Sequence, residues 1–270
     1  MKPFFHAGIA IVLVGLMHTA YADDDRLTLT GSSTIAPLAM EIAKRYESQH
    51  PGSRIDVQMG GSTRGIIDAR SGLADIGMVS RGLKENESDL TAFTIAQDGI
   101  SIIIHSSNPV ESLSNEQIIA IYTGKLSNWS QVGGEDREIT VVNKAEGRST
   151  LELFLKFFSL KNSRIKADVV IGDNQQGIKT VAGSPGAIGY VSIGTAEFEQ
   201  TACTPIKLLP MEGVTASTET VSQGRFPLSR PLNLVVKHQN KALAQQFIKF
   251  AQSAAVHDLV EAQFYVPTTQ

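Results

Sequence analysis

The chain has 270 residues, 24 basic against 27 acidic side chains, a formal net charge of −3, 42% hydrophobic residues and one cysteine. This composition excludes a disordered or collagen-like chain, because apolar residues are numerous enough to build a large core. The near balance of charge argues against a general binder of nucleic acid or membrane surfaces, and the length fits one or two domains.

The first residues read as a secretion signal. Lys2 supplies a positive start, residues 7–17 (AGIAIVLVGLM) form an apolar run too short to span a bilayer, and Ala20-Tyr21-Ala22 is a small-residue cleavage site ahead of Asp23. Residues 1–22 are therefore expected to leave the mature, exported chain. Cys203 is the sole thiol, which rules out an intramolecular disulfide and a cysteine-based metal site; its expected role is a small buried hydrophobe.

In chain order, residues 26–30 (RLTLT) read as a strand, 37–50 as a helix with Leu38, Ile42, Ala43 and Tyr46 on one face, and 54–59 (RIDVQM) as a second strand. A short helix at 66–71 and strands at 74–79 (ADIGMV) and 99–105 (GISIIIH) follow, the last with the apolar centre of a strand buried on both faces. A second unit opens near Asn108-Pro109. Ser114 and Gln117 form a capping box for a helix carrying Ile118, Ile119, Ile121 and Tyr122; a strand at 139–143, a helix at 151–158 and a strand at 187–191 come next. Strand 232–236 (LNLVV) and an amphipathic helix at 242–254 close the chain. The alternation implies an α/β fold whose mostly parallel sheets are flanked by helices. The final strand and helix find partners only by returning to the first unit. The expectation is thus two lobes, 23–107 plus 205–270 forming the first and 108–204 inserted as the second.

Catalytic signatures are missing. There is no G-x-S-x-G elbow, no H-E-x-x-H, no GxxxxGK[ST] and no G-x-G-x-x-G after a strand, and the histidines stand apart without ligand spacing. No metal, cofactor or catalytic residue is therefore expected. What recurs is a turn chemistry: Gly31-Ser32-Ser33-Thr34, Gly60-Gly61-Ser62-Thr63 and Gly147-Arg148-Ser149-Thr150 each lead into a helix, and Ser80-Arg81 follows another strand. Helix N-termini present unpaired N–H groups and the positive end of the helix dipole, hydroxyls can donate beside them, and glycine lets backbone approach closely. Ordinary N-capping explains any one such turn. Three together favour a cage for a small tetrahedral oxyanion, with Arg81 and Arg148 as planar cationic donors. Lys144 is a weaker candidate, since a lysine at a strand end is usually exposed.

These residues resemble the phosphate-specific periplasmic substrate-binding proteins of ABC transporters. The resemblance runs in order through Gly31-Ser-Ser-Thr-Ile-Ala-Pro-Leu38, Gly60-Gly-Ser-Thr-Arg-Gly-Ile66, Ala74-Asp-Ile-Gly77 with Ser80-Arg81, Gln97-Asp-Gly-Ile-Ser101, Tyr122-Thr-Gly-Lys-Leu-Ser-Asn-Trp129 with Val132-Gly-Gly134, Ser184-Pro-Gly-Ala-Ile-Gly-Tyr-Val191 and Phe226-Pro-Leu-Ser-Arg-Pro-Leu232. It implies a two-lobed, type II periplasmic-binding fold closing by a hinge without chemical reaction, a monomer in the periplasm that binds phosphate or a related oxyanion and meets a membrane permease, not nucleic acid. The ligand donors so implied are Ser33, Thr34, Ser62, Ser80, Ser149 and Thr150, joined by Arg81 and Arg148 from the turn chemistry. Two departures stand out. The family's third loop commonly opens with arginine where this chain has Lys144, and Arg81 stands where some members carry an aspartate that accepts the proton of hydrogen phosphate. Without that acceptor, phosphate and sulfate are harder to tell apart; Glu146 and Asp98 are the substitutes within reach in sequence. Two other classes remain open at this level: a secreted oxyanion sensor or adhesion protein on the same fold, and a phosphate-ester hydrolase, for which no metal cluster or activated nucleophile is visible.

Overall fold

The computed structural model describes residues 25–237 and 241–268, so the signal segment expected at 1–22 lies outside it. The chain opens with β1 (Arg26–Gly31), α1 (Ala36–Gln49), β2 (Arg54–Met59), α2 (Ser62–Ser71) and β3 (Ile76–Val79). β1 pairs in parallel with β2 on one side and β3 on the other, as two successive β-α-β crossovers require. Next come β4 (Leu90–His105), α3 (Asn115–Tyr122), β5 (Thr140–Lys144), α4 (Ser149–Phe157), β6 (Val169–Ile171), α5 (Asn174–Ala182), β7 (Ala187–Ser192) and α6 (Ile193–Thr201). The chain ends with β8 (Ile206–Leu208), α7 (Thr218–Ser222), β9 (Ser229–Lys237), α8 (Ala242–Ala251), α9 (His257–Ala262) and β10 (Val266–Pro267).

β9 does return to the first unit, where it lies antiparallel between β3 and β4. The sheet is consequently mixed. β5 pairs in parallel with β6 and β7, but β4 runs antiparallel to β7, β8, β9 and β10.

Side-chain alternation gives the sheet two apolar faces, each covered by helices. On β9, Leu232, Leu234 and Val236 enter one apolar cluster with α1 and α8, while Val235 enters another with Ile66 and Ala69 of α2. On β4, Ile102 and Ile104 face α3 and α4, and Ile103 faces α5 and α6. A run such as Ile102-Ile103-Ile104 is apolar on both faces because helices cover both.

β4 belongs to both lobes. Ile95 and Ala96 pack in the first core, Ile100 and Ile102 in the second, and Asp98-Gly99 lies at the crossing. The chain recrosses alongside, with Leu228 in the second core and Leu232 in the first, and Asp98 opposite Arg230 in register. Apolar packing thus passes from the first core to the second near residue 99 and back near residue 229. Within residues 206–228, β8 pairs with the distal half of β4, and Leu209, Met211, Val221 and Phe226 pack in the second core. Cys203 also departs from expectation: it is exposed, in a turn with φ +59° just after α6.

Candidate functional site

Four of the α-helices among the described residues are capped by a side chain. Ser114, Asp173, Ser192 and Ser217 accept a backbone N–H at the starts of α3, α5, α6 and α7. The three Ser/Thr-rich turns behave differently: α1, α2 and α4 have Ile35, Gly61 and Arg148 at their N-caps, none with a side-chain cap bond. Of the hydroxyls there, Ser32 Oγ alone turns partly back to its own turn, accepting from the N–H of Thr34 at 3.2 Å. Capping thus leaves the hydroxyls of Ser62, Ser149 and Thr150 free for other work.

Those of Ser62 and Ser149 converge on Ser80, a fully buried residue just past the end of β3. Ser80 Oγ lies 2.9 Å from Ser32 Oγ, 3.5 Å from Ser62 Oγ and 2.5 Å from Ser149 Oγ, and its N–H donates to Ser62 Oγ at 3.2 Å. Ser32, Ser62 and Ser80 come from the first lobe and Ser149 and Thr150 from the second, so the cluster sits in the crevice between them, at the carboxyl ends of β1, β2, β3 and β5.

A buried arginine organises the cluster. Arg230, 1% exposed, directs Nη1 to Thr150 Oγ1 at 3.1 Å, Ser80 Oγ at 3.4 Å and Ser149 Oγ at 3.5 Å, and Nη2 to Thr34 Oγ1 at 3.3 Å. Its Nε and Nη2 also donate to Asp98 Oδ2 at 3.1 and 2.8 Å. Asp98 Oδ1 accepts from Gly194 N–H at 3.2 Å, in the first turn of α6. A guanidinium fork is what such a position needs, because one planar group reaches a carboxylate and several hydroxyls at once. Since Asp98 and Arg230 are register partners at the two crossings, this ion pair ties the crossing strands to the crevice.

Lys144 is buried, not exposed as expected, with 3% accessibility at the end of β5. Its Nζ donates to Asn174 Oδ1 at 3.0 Å, and Asn174 Nδ2 donates to Thr34 Oγ1 at 3.2 Å across the crevice. Burial pushes the ammonium down to about 7; Asp173 favours the charged form, while Arg230 and Arg148 oppose it. Tyr265 closes the floor, donating from its hydroxyl to Thr34 O at 3.0 Å, and burial together with the nearby Asp98 pushes that phenol up to about 12.

Three expected site residues stand elsewhere. Arg81 is buried but spends its guanidinium on Glu87, Oε2 at 2.7 Å and Oε1 at 2.8 Å, on Gly82 O, and on Glu152 with Nε 3.1 Å from Oε2. Burial works against the charge on both Arg81 and Glu87, yet the pair outweighs it, raising the guanidinium and lowering the carboxyl from their usual values. Ser33 lines a neighbouring groove with Pro37, Met40, Asn174 and Phe198. Arg148 lies across the lobes over Gly61 and Gly172, where added Cβ atoms would come 3.0 Å from its Cδ and 3.4 Å from its Nη2. Thr34, Ser62, Ser80, Ser149 and Thr150 are brought together. Of the two candidate acceptors, Glu146 turns away to Asn162, and Asp98 is held by Arg230 and Gly194.

Clasps around the cluster join the lobes. Glu152 of α4 binds Lys84 at 2.6 Å and accepts from Thr63 Oγ1 at 3.2 Å, while Thr63 N–H donates to Gly147 O at 3.2 Å. Gly61 makes that approach possible: its φ is +95° and a Cβ there would lie 2.7 Å from Gly147 O.

Residues 18–255 match the PBP superfamily domain. The chain is 32% identical to a solved putative phosphate ABC transporter substrate-binding protein with bound phosphate from Clostridium perfringens, at a TM-score of 0.83 over 90% of this chain and 100% of that one. A solved ABC-type phosphate transport receptor from Vibrio cholerae is 31% identical, with TM-score 0.74 and the same coverage. Among curated proteins, the phosphate-binding protein PstS of Bacillus subtilis is 27% identical over 248 residues, 90% of this chain and 81% of that protein. A match over that span, on two lobes joined by paired crossing strands, places the protein in the PBP superfamily, with the type II periplasmic-binding fold.

Proposed function

We propose that the protein captures phosphate in the crevice between its lobes and delivers it, outside the cytoplasm, to an ABC permease. The observation that carries this reading is the convergence of Ser32, Thr34, Ser62, Ser80, Ser149 and Thr150 around Arg230, with contributions from both lobes. A tetrahedral oxyanion parting these hydroxyls takes over as common acceptor, replacing bonds between neutral donors by charge-assisted ones. The N-termini of α1, α2 and α4 add positive potential, so the net negative charge of the chain is no obstacle. Closing both lobes on the ligand makes its affinity drive the hinge. The named relatives, which are phosphate-binding and transport proteins, support a carrier in place of an enzyme. The cluster also has no activated nucleophile, because its hydroxyls face one another and an arginine instead of a general base.

The test is calorimetry of the phosphate-stripped protein titrated with phosphate, sulfate, molybdate and arsenate. Micromolar or tighter phosphate binding, weakened at least about tenfold in Ser80→Ala by loss of the central hydroxyl, is the expected result. Absence of heat with phosphate refutes the assignment, and a response to another oxyanion alone reassigns the ligand.

A further inference from the structure

We propose that Lys144 is the proton-coupled cation of this crevice: its amine takes up a proton from solvent when a doubly charged oxyanion enters, so that capture and protonation are one event. The inference rests on the oxyanion reading above and adds a regulatory property to it. Its ground is geometric. Lys144 ends the strand whose following loop leads into Ser149 and Thr150, so one strand-loop-helix unit supplies the amine and two hydroxyls of the cluster. Among the described residues its Nζ has a single hydrogen-bond partner, the neutral amide oxygen of Asn174, although an ammonium carries three donors. Asn174 in turn joins it to Thr34, which receives Arg230, so a chain of three hydrogen bonds links the amine to the guanidinium that organises the site.

The charged and titratable groups facing Lys144 come from four elements. Asp173, at the N-cap of α5, favours the ammonium; Arg230 of β9 and Arg148, at the N-cap of α4, disfavour it. Tyr190 of β7 accepts from the Lys144 backbone N–H at 3.3 Å and donates to Asn143, and burial raises its phenol, so it stays neutral. Burial is the main reason the proton of this amine is held weakly; Asp173 favours the charge, while Arg148 and Arg230, the latter itself paired with Asp98, oppose it. A dianion adds opposing charge in the same low-dielectric space and restores the proton. Arginine at this place would hold its proton throughout; lysine makes the cation conditional. Because phosphate and sulfate dianions would both recruit that proton, the coupling tunes affinity with pH and does not by itself choose between them.

Three measurements test this. In ligand-free protein, NMR of labelled lysine side chains should show one lysine titrating near neutrality, a signal absent from Lys144→Arg. Calorimetry with inorganic phosphate at about pH 8.5, where phosphate is already the dianion, in buffers of different ionisation enthalpy should show net proton uptake approaching one per phosphate in the wild type and near zero in Lys144→Arg. The wild-type affinity should then fall by up to about tenfold per pH unit above neutrality, with a flat profile in Lys144→Arg whatever its absolute affinity. Lys144→Met, of similar length and neutral, guards against a poorly folded arginine variant and should bind without proton uptake. Equal uptake in the wild type and both variants, or Lys144 titrating with the surface lysines, overturns the inference while leaving phosphate capture intact. No phosphate binding by the wild type at any pH overturns both.

Discussion

Replacing Arg230 by methionine isolates the buried pair at the hinge. The guanidinium and Asp98 are each almost fully buried, and the carboxylate receives two of its three hydrogen bonds from Arg230, at 2.8 and 3.1 Å. The variant leaves Asp98 with one backbone donor, Gly194 N–H at 3.2 Å. Removing one partner of such a pair costs about 3–5 kcal/mol, because the charge left behind has lost its compensation in a dry interior. That is a large fraction of the roughly 5–15 kcal/mol that holds a domain folded. The argument further requires that removing both charges be cheaper than removing one. Arg230→Met with Asp98→Asn should recover well over half of the loss, since no unpaired ion remains. The assay is urea unfolding of phosphate-stripped wild type, both single variants and the double variant; bound phosphate would add a larger mass-action contribution to the wild type than to weaker-binding variants. Phosphate affinity of the single variant should drop at least about a hundredfold, as four hydroxyls lose their common donor. A destabilisation below about 1 kcal/mol, or additive losses in the double variant, would refute the account of Arg230 as the organiser of the crevice.

Glu152→Gln removes the carboxylate that Lys84 and Arg81 grip across the lobes; it should weaken phosphate binding about three- to tenfold and reduce its salt dependence while leaving ligand-free unfolding almost unchanged, checked by calorimetry at two salt concentrations and by small-angle scattering for a more open average shape. Gly61→Ala puts a side chain at φ +95° and 2.7 Å from Gly147 O; we expect a loss of about 1–3 kcal/mol in urea unfolding and a larger proportional loss of phosphate affinity, because the clash is worst in the closed form. Lys144 sets a stability slope. Its folded-state value near 7 lies below the ordinary 10.5, so between these values the unfolded chain binds more protons, and the lysine's unfavourable contribution shrinks as pH rises. Wild type should gain on Lys144→Met by up to about 1.4 kcal/mol per pH unit across that window and by nothing below it, as read from ligand-free unfolding at pH 6 to 9.5.

Much of the local structure was legible in the chain. Strand β1, helix α1 and the capping box of α3 lie where apolar spacing and Ser114-Gln117 put them, because both signals act within one turn or one pleat. The repeated Gly/Ser/Thr turns likewise pointed to hydroxyls at helix starts, and five of the eight expected site residues meet in one cluster. β4 extends well before the strand expected at 99–105: its first half, Leu90–Gln97, mixes polar and apolar residues and pairs with β9.

What the sequence could not show was which charges meet. Arg81 and Arg230 each follow a serine, yet one is consumed by Glu87, six residues on, and the other by Asp98, 132 residues away. A clue to Arg230 was present: it alternates with Leu232 and Leu234 and so shares their inward face, but an inward arginine is tolerable only if a carboxylate waits there. Lys144 looked exposed for the same reason, since burial depends on α5 arriving from residue 174 to supply Asn174. Local periodicity and turn chemistry are short-range properties and survive in one dimension. Ion pairing, burial and the depressed basicity of a lysine depend on distances between segments far apart in the chain, and those exist only once the two lobes have packed around the paired crossings of β4 and β9.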